Sequence, residues 1–194
     1  MAKQGMKDVI SEKKELRKRM LDKRMAMTEE VYFHKGKELL DRVMSLEVLP
    51  KAETVHCYIA MTSRREPETN AIIQELLRNG KKIVVPLIDI NSRDLSHIYI
   101  DEATSWIINK WGVKEPVSGL SAAPSEIDLV LIPMLAGDKN RNRLGYGKGY
   151  YDTFLAKTSA IKAGLLFSDM LCDEIPTEPH DIPLDMIITE KGVI

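Results

Sequence analysis

Residues 128–135 read DLVLIPML, one acidic residue followed by an almost unbroken apolar run. A half-exposed strand alternates polar with apolar positions, whereas a strand lacking polar positions has both faces covered. The run therefore predicts a central strand with layers above and below it. The surrounding sequence has the rhythm such an architecture needs. TVHCYIA (54–60) reads as a buried strand and KKIVVPLI (81–88) as the next, with Pro86 near its end. LSHIYI (95–100) alternates like a half-buried strand, and AIKAGLLF (160–167) and DMIIT (185–189) supply two more. Between the first two, Thr69 is placed to cap a helix whose Ile72, Ile73, Leu76 and Leu77 face inward, and Gly80 stands where a helix-ending glycine belongs. Strands alternating with helices predict an α/β layered sheet, mostly parallel.

The first 50 residues differ in kind. From about Lys7 to Met27 they are rich in Lys, Arg, Glu, Leu and Met, all good helix formers, with charges of mixed sign. Thr28, followed by Glu29 and Glu30, reads as an N-cap with acidic residues in the first turn. A second helix is predicted to run to about Leu46 with Leu39, Leu40, Val43 and Met44 on one face, and Pro50 ends the unit. The chain of 194 residues holds no internal repeat and no low-complexity linker, so residues 1–194 read as one domain with helices 1–50 packed on the α/β body.

Composition narrows the function classes. A formal net charge of −1 argues against a dedicated nucleic-acid binder. Cys57 and Cys172 have no metal-like spacing and read as buried thiols of a reducing compartment. No apolar run approaches the ~20 residues that span a bilayer, and the first residues lack a signal-peptide core. The expected location is the cytoplasm, with no membrane partner. His34, His56, His97 and His180 are scattered without ligand spacing and read as structural or surface residues.

After the central strand comes RLGYGKGYYD (143–152), with Gly145, Gly147 and Gly149 on alternate positions. In an open α/β sheet ligands bind beyond the carboxyl ends of strands. Glycines there let the backbone take positive φ and approach an anion, and the helix predicted over YYDTFLAKT offers free N–H groups. Arg143 and Lys148 add positive charge, and Asp152 is a natural partner for the magnesium ion that accompanies nucleotide phosphates. The alternative is a glycine-rich surface turn. Neither the dinucleotide fingerprint nor the Walker A pattern fits: the glycines alternate strictly after about nine residues of polar loop, and Gly149 stands where Walker A has Ser or Thr.

The stretch NRLGYGKGYYDTFL resembles the signature of the 5-formyltetrahydrofolate cyclo-ligases, N-R-L-G-x-G-x-G-Y-Y-D-x-x-L, and KKELRKRM, YIAMTSRREPET, KWGVKEP and PHDIPLDMIIT extend the resemblance over most of the chain. The resemblance implies ATP- and Mg2+-dependent conversion of 5-formyltetrahydrofolate to 5,10-methenyltetrahydrofolate. It also implies a Rossmann-like fold related to sugar-phosphate isomerases and CoA transferases. Carried onto this sequence, it implies that Lys13 and Arg17 contact ATP, together with Arg143, Leu144, Gly145, Tyr146, Gly147, Lys148, Gly149, Tyr150 and Tyr151. Within that set Arg143, Lys148 and Tyr151 are the catalytic candidates. Asp152 and Asp181 become the metal candidates, and Ile59, Glu66, Trp111, Gly147, Tyr150 and Tyr151 the folate candidates. Tyr146 stands where some members have Arg, so a phosphate contact is either missing or supplied by Arg141 or Lys139.

These residue types suit the implied chemistry. Phosphoryl transfer asks a protein mainly for alignment and charge neutralisation. A carboxylate such as Glu66 accepts from the pterin's N–H groups, and an aromatic ring stacks on it. Arg64 or Arg65 is placed to meet folate's anionic tail, or else is solvated surface. The basic helix reads as a solvated face apart from Lys13 and Arg17, because Glu12, Glu15 and Asp22 interrupt its charge. The expected assembly is a monomer or weak homodimer. Two other readings use the same residues: a sugar-phosphate isomerase or CoA-transferase-like enzyme without ATP turnover, and a nucleotide-binding regulatory protein without catalysis.

Overall fold

A computed structural model describes residues 2–89, 94–109 and 112–194. Two helices lead, α1 (Ala2–Met25) and α2 (Glu29–Met44). The body follows as β1 (Thr54–Cys57), α3 (Asn70–Arg78), β2 (Lys82–Asp89), β3 (Asp94–Ile100), β4 (Trp106–Ile108), β5 (Lys114–Pro116) and β6 (Leu129–Pro133). Then come β7 (Ala136–Gly137), β8 (Arg143–Leu144), α4 (Tyr150–Leu155), β9 (Ile161–Leu165), β10 (Met186–Thr189) and β11 (Gly192–Val193).

β6 lies in the middle of a seven-stranded sheet ordered β11-β10-β9-β6-β1-β2-β3. Leu129, Val130, Leu131 and Ile132 are all fully buried, as an apolar run covered on both faces must be. The five strands from β10 to β2 are mutually parallel; β3 and β11 close the two edges antiparallel. The architecture is thus the expected α/β layered sheet, mostly parallel. Asp128, the acid before the apolar run, fixes the start of β1 by accepting from the backbone N–H groups of Glu53 at 2.9 Å and Thr54 at 2.8 Å.

Alternation along β1 assigns the layers. His56 points to the face covered by α4, where its ring packs on Phe154. Cys57 points to the opposite face beside Thr69, where α3 packs on β2 and α2 on β10. Thr28 caps α2 as expected, its hydroxyl accepting from Val31 N–H at 3.2 Å, and Leu39 and Val43 enter the core. α1 follows through Leu16 and Met20, both buried against the body.

Several details depart from expectation. α1 begins at Ala2 rather than near Lys7. Thr69 holds the N-cap position of α3 but does not cap it. Its hydroxyl donates to Tyr58 O at 2.7 Å and accepts from Ala60 N–H at 3.1 Å, which turns the chain out of β1 at Cys57 instead of at residue 60. Glu68 takes over the cap, accepting from Asn70 N–H at 2.7 Å and Ala71 N–H at 3.1 Å. At the other end Gly80, with φ +73°, completes a paired stop: Gly80 N–H bonds Leu77 O and Lys81 N–H bonds Leu76 O. Two short hairpins, β4/β5 and β7/β8, were not foreseen. No described helix is long and apolar enough to cross a membrane.

Candidate active site

From β1 the chain proceeds to β2 on one side, and from β6 it proceeds to β9 and β10 on the other. The connections leaving the carboxyl ends of adjacent β1 and β6 therefore diverge and open a crevice, the position where open α/β sheets bind ligands. Glu66 lies on the first connection and the glycine loop on the second.

The second connection is not simply a polar loop. After β6 it forms the β7/β8 hairpin around Asp138, a fully buried carboxylate. Asp138 accepts from the N–H groups of Asn140 (2.9 Å), Asn142 (3.0 Å) and Ile175 (3.0 Å) and from the Asn142 amide (2.9 Å). Arg141 turns the hairpin at φ +63° and sends its guanidinium to Asp185 O at 3.4 Å. Beyond β8, Gly147 (φ +83°) and Gly149 (φ +75°) use the conformational freedom expected of them, whereas Gly145 is not in the positive-φ region. Arg17 reaches over from α1: its Nε donates to Gly145 O at 2.9 Å, and its guanidinium carbon would lie 3.0 Å from a Cβ placed on Gly147. α4 has only six residues and begins directly after Gly149. Lys148 is exposed, while the Leu144 side chain belongs to the core.

Around this loop several charges are paired. Arg143 is ion-paired with Asp152, and the Ile182 N–H reaches the same carboxylate oxygen at 3.5 Å. That contact brings Asp152 alongside Asp181. Lys13, only 4% exposed, holds Asp181 at 2.5 Å and Glu178 at 2.8 Å. Ligand atoms of Glu178, His180 and Asp181 lie within 4.8 Å of one another, and the single Lys13 ammonium bridges the two acids among them. Hard carboxylate oxygens are the donors Mg2+ prefers, so Asp152 and Asp181 fit that ion chemically.

On the connection that leaves β1, Glu66 is 2% exposed. It accepts from the Tyr146 hydroxyl and from Met61 N–H at 2.7 Å. Burial pushes its pKa up, opposed by those two bonds and by the Arg24 and Arg64 guanidiniums. Tyr146, standing where an arginine was the alternative, contacts charge differently: its hydroxyl lies 2.6 Å from Arg24 Nη2. Ile59 lines a groove of about 320 Å³ between α3 and the β4/β5 hairpin, with Ile73, Leu77, Ile100 and Trp106. Tyr150 and Tyr151 are half-buried against the core. Trp111 lies outside the described residues.

Arg24 and Glu178 were not among the expected residues. Arg24 had a signal: Lys13, Leu16, Met20 and Arg24 recur at helical spacing and form the buried stripe of α1. A charged residue in register with that stripe has to find a partner inside. Glu178 carried no such mark.

Below α4, His56 and His97 stack in edge contact at 5.2 Å and pack on Phe154, with Tyr151 beside them. Both ring nitrogens of His56, Nδ1 of His97 and the Tyr151 hydroxyl are buried without a hydrogen-bond partner. Burial, and then its neighbour His97, hold the His56 pKa well below the ordinary value. A histidine whose folded pKa is depressed binds protons preferentially when unfolded. Its stabilising contribution is therefore complete above the unfolded value of about 6.5 and is lost as pH falls below it, by up to about 1.4 kcal/mol per pH unit. Chemical denaturation at several values between pH 5 and 8 should show this fall, and His56→Leu should flatten it. Equal slopes for the two proteins would remove His56 as the cause.

The sequence model of the 5-formyltetrahydrofolate cyclo-ligase family matches residues 9–190. A mouse protein named 5-formyltetrahydrofolate cyclo-ligase is 25% identical over 95% of this chain and 96% of its own length. The protein of that name from Mycolicibacterium smegmatis is 29% identical over 94% and 96%. Among solved structures, the 5,10-methenyltetrahydrofolate synthetase of Aquifex aeolicus superposes with a TM-score of 0.82 at 30% identity, covering 93% of this chain and 91% of that one. The synthetase of Mycoplasma pneumoniae gives 0.74 at 27%, covering 92% and 98%. With the family match spanning the helix that carries Lys13 and Arg17, the Glu66 connection and the whole glycine loop, the chain belongs to the 5-formyltetrahydrofolate cyclo-ligase family.

Proposed function

We propose that the protein is an enzyme that closes 5-formyltetrahydrofolate to 5,10-methenyltetrahydrofolate at the expense of ATP, with residues 1–194 acting as one cytoplasmic catalytic domain. The observation that carries this reading is the seating of the glycine loop: Arg17 clamps it from α1 in the crevice between β1 and β6, a few residues from the Glu66 cluster. Two ligands, one anionic and one rich in N–H donors, can therefore meet at one place.

An N-formyl group is an amide, and its oxygen is a poor leaving group. In the proposed reaction that oxygen attacks the γ-phosphorus of ATP and ADP departs. The second folate nitrogen then attacks the formyl carbon, phosphate leaves with the former carbonyl oxygen, and the attacking nitrogen loses its proton. The chain's task is alignment and charge neutralisation. Arg143, Lys148, Lys13 and Arg17 are the cations for the phosphates, and the loop amides from Gly145 to Tyr151 approach them closely because Gly147 and Gly149 carry no Cβ. Tyr151 borders the loop from the α4 side. Glu66 takes the pterin's N–H groups. Asp152 and Asp181 would hold Mg2+, which when bound would neutralise phosphate charge; Arg143 and Lys13, the present partners of those acids, are the cations that would serve the nucleotide.

The test is a paired assay. The methenyl product's near-ultraviolet absorbance and ADP should appear together from 5-formyltetrahydrofolate, ATP and Mg2+, in equal amounts. Product without ADP, or ADP without dependence on the folate, would refute the scheme, and a sugar-phosphate isomerase would give neither.

A further inference from the structure

Arg24 has an environment that packing alone does not explain. It is 1% exposed near the end of α1, in the buried stripe that it shares with Lys13, Leu16 and Met20. Its Nη1 donates to Met134 O at 3.3 Å, its Nη2 lies 2.6 Å from the Tyr146 hydroxyl, and its Nε has no partner. A buried guanidinium with an unsatisfied N–H is costly. What the position provides is a charge directed at Tyr146.

The direction of the protons follows from the donor inventory. A guanidinium only donates, so the Tyr146 oxygen accepts from Arg24. The single hydroxyl proton of Tyr146 is then directed to Glu66 Oε1, while Oε2 accepts from Met61 N–H. Both oxygens of Glu66 accept, an arrangement that favours the carboxylate form. A phenol has thus been inserted between a buried acid and a buried base, and it transmits the charge of one to the other.

We propose that Arg24 is a positioning residue for the folate: acting through the Tyr146 hydroxyl, it keeps the Glu66 carboxylate ionised and aimed as the acceptor for the pterin's N–H groups. The inference rests on the proposed folate reading for the identity of the ligand, but the relay itself stands on the contacts above. The other groups facing Glu66 do not replace it. Arg64 lies over the Tyr146 ring at 5.3 Å from its centre, and Arg65 follows it on a partly exposed turn. Tyr32 and Tyr58 donate to the backbone oxygens of Glu66 and Pro67 at 2.8 and 2.9 Å, leaving the carboxylate untouched, and Tyr151 adds only a neutral hydroxyl.

The decisive measurement is the pH titration of the Glu66 side-chain carboxyl by carbon NMR, assigned by its disappearance in Glu66→Gln. Relative to the native protein, the midpoint should rise by about one pH unit or more in Arg24→Gln. It should rise also in Tyr146→Phe, which removes the bridging hydroxyl, and lie between in Arg24→Lys. In steady-state assays KM for 5-formyltetrahydrofolate should rise about tenfold in Arg24→Gln, and its acidic limb should move with the NMR midpoint while KM for ATP stays within twofold. An unmoved midpoint in folded Arg24→Gln overturns the relay; should that variant not fold, an unmoved midpoint in Tyr146→Phe does the same. A midpoint that moves without any change in the folate KM overturns the positioning role. Failure of the native protein to form the methenyl product refutes the folate reading instead, and leaves the NMR midpoints to judge the relay.

Discussion

Gly147→Ala is expected to lower kcat/KM for ATP by about a hundredfold while leaving a folded protein. Gly147 sits at φ +83°, where a Cβ costs roughly 1 kcal/mol. The added methyl also meets Arg17, 3.0 Å from its guanidinium carbon and 3.2 Å from Nε and Nη2. Arg17 is the far end of a flexible side chain and can yield, but only by stretching or breaking the 2.9 Å bond that fixes Gly145 O. The loop then loses its clamp. A displacement near 1 Å in a phosphoryl-transfer site is enough for a loss of this size. Gly149→Ala provides the control, because Gly149 shares the positive φ, at +75°, but its Cβ would meet nothing within 4 Å. Strain alone should therefore cost Gly149→Ala much less activity than the combination costs Gly147→Ala. Initial rates against ATP for both variants separate the two effects, and equal losses would show that the contact with Arg17 is irrelevant.

The same loop shows what was legible in the sequence and what was not. Local patterns were readable wherever a single physical rule governs them. The apolar run of β6 requires cover on both faces, Thr28 caps α2, and Gly80 and Gly147 sit at positive φ. The strand positions were legible for the same reason, since each buried segment carries its own pattern. Contacts between distant segments were not. Nothing local says that Thr69 spends its hydroxyl on the end of β1 and leaves the cap of α3 to Glu68. The β7/β8 hairpin escaped because its order comes from Asp138, whose carboxylate reaches as far as Ile175, and not from alternating strands. In the site, the glycines and their flanking charges were visible as a motif, yet the pairing of those charges depends on topology. Lys13 meets residues 178 and 181, and Arg24 meets Tyr146, across more than 100 positions of chain. A charge in a buried stripe announces that a partner exists; only the fold supplies which one.

Asp152→Asn tests the most specific part of the proposed chemistry, and the structure sharpens what each outcome means. Asp152 is the ion-pair partner of Arg143, whose side chain is only 6% exposed. A purely structural role is therefore the pairing of a nearly buried guanidinium. Asn can still accept one hydrogen bond from Arg143 but brings no charge. Some loss of thermal stability is expected on either account, and melting alone decides nothing. The dependence of rate on Mg2+ does decide. If Asp152 serves only Arg143, the substitution lowers the maximal rate and leaves the Mg2+ concentration for half-maximal rate where it was. If Asp152 is a ligand, a neutral amide oxygen replaces a charged one facing a hard cation, and that concentration should rise by roughly tenfold, about 1.4 kcal/mol of binding. Lys13→Met is the companion variant, because it frees Asp181 and Glu178 from their ammonium at 2.5 and 2.8 Å. It should weaken ATP use without shifting the Mg2+ requirement upward. Superimposable, normalised Mg2+ curves for Asp152→Asn and the native protein would remove Asp152 from the metal and return it to Arg143.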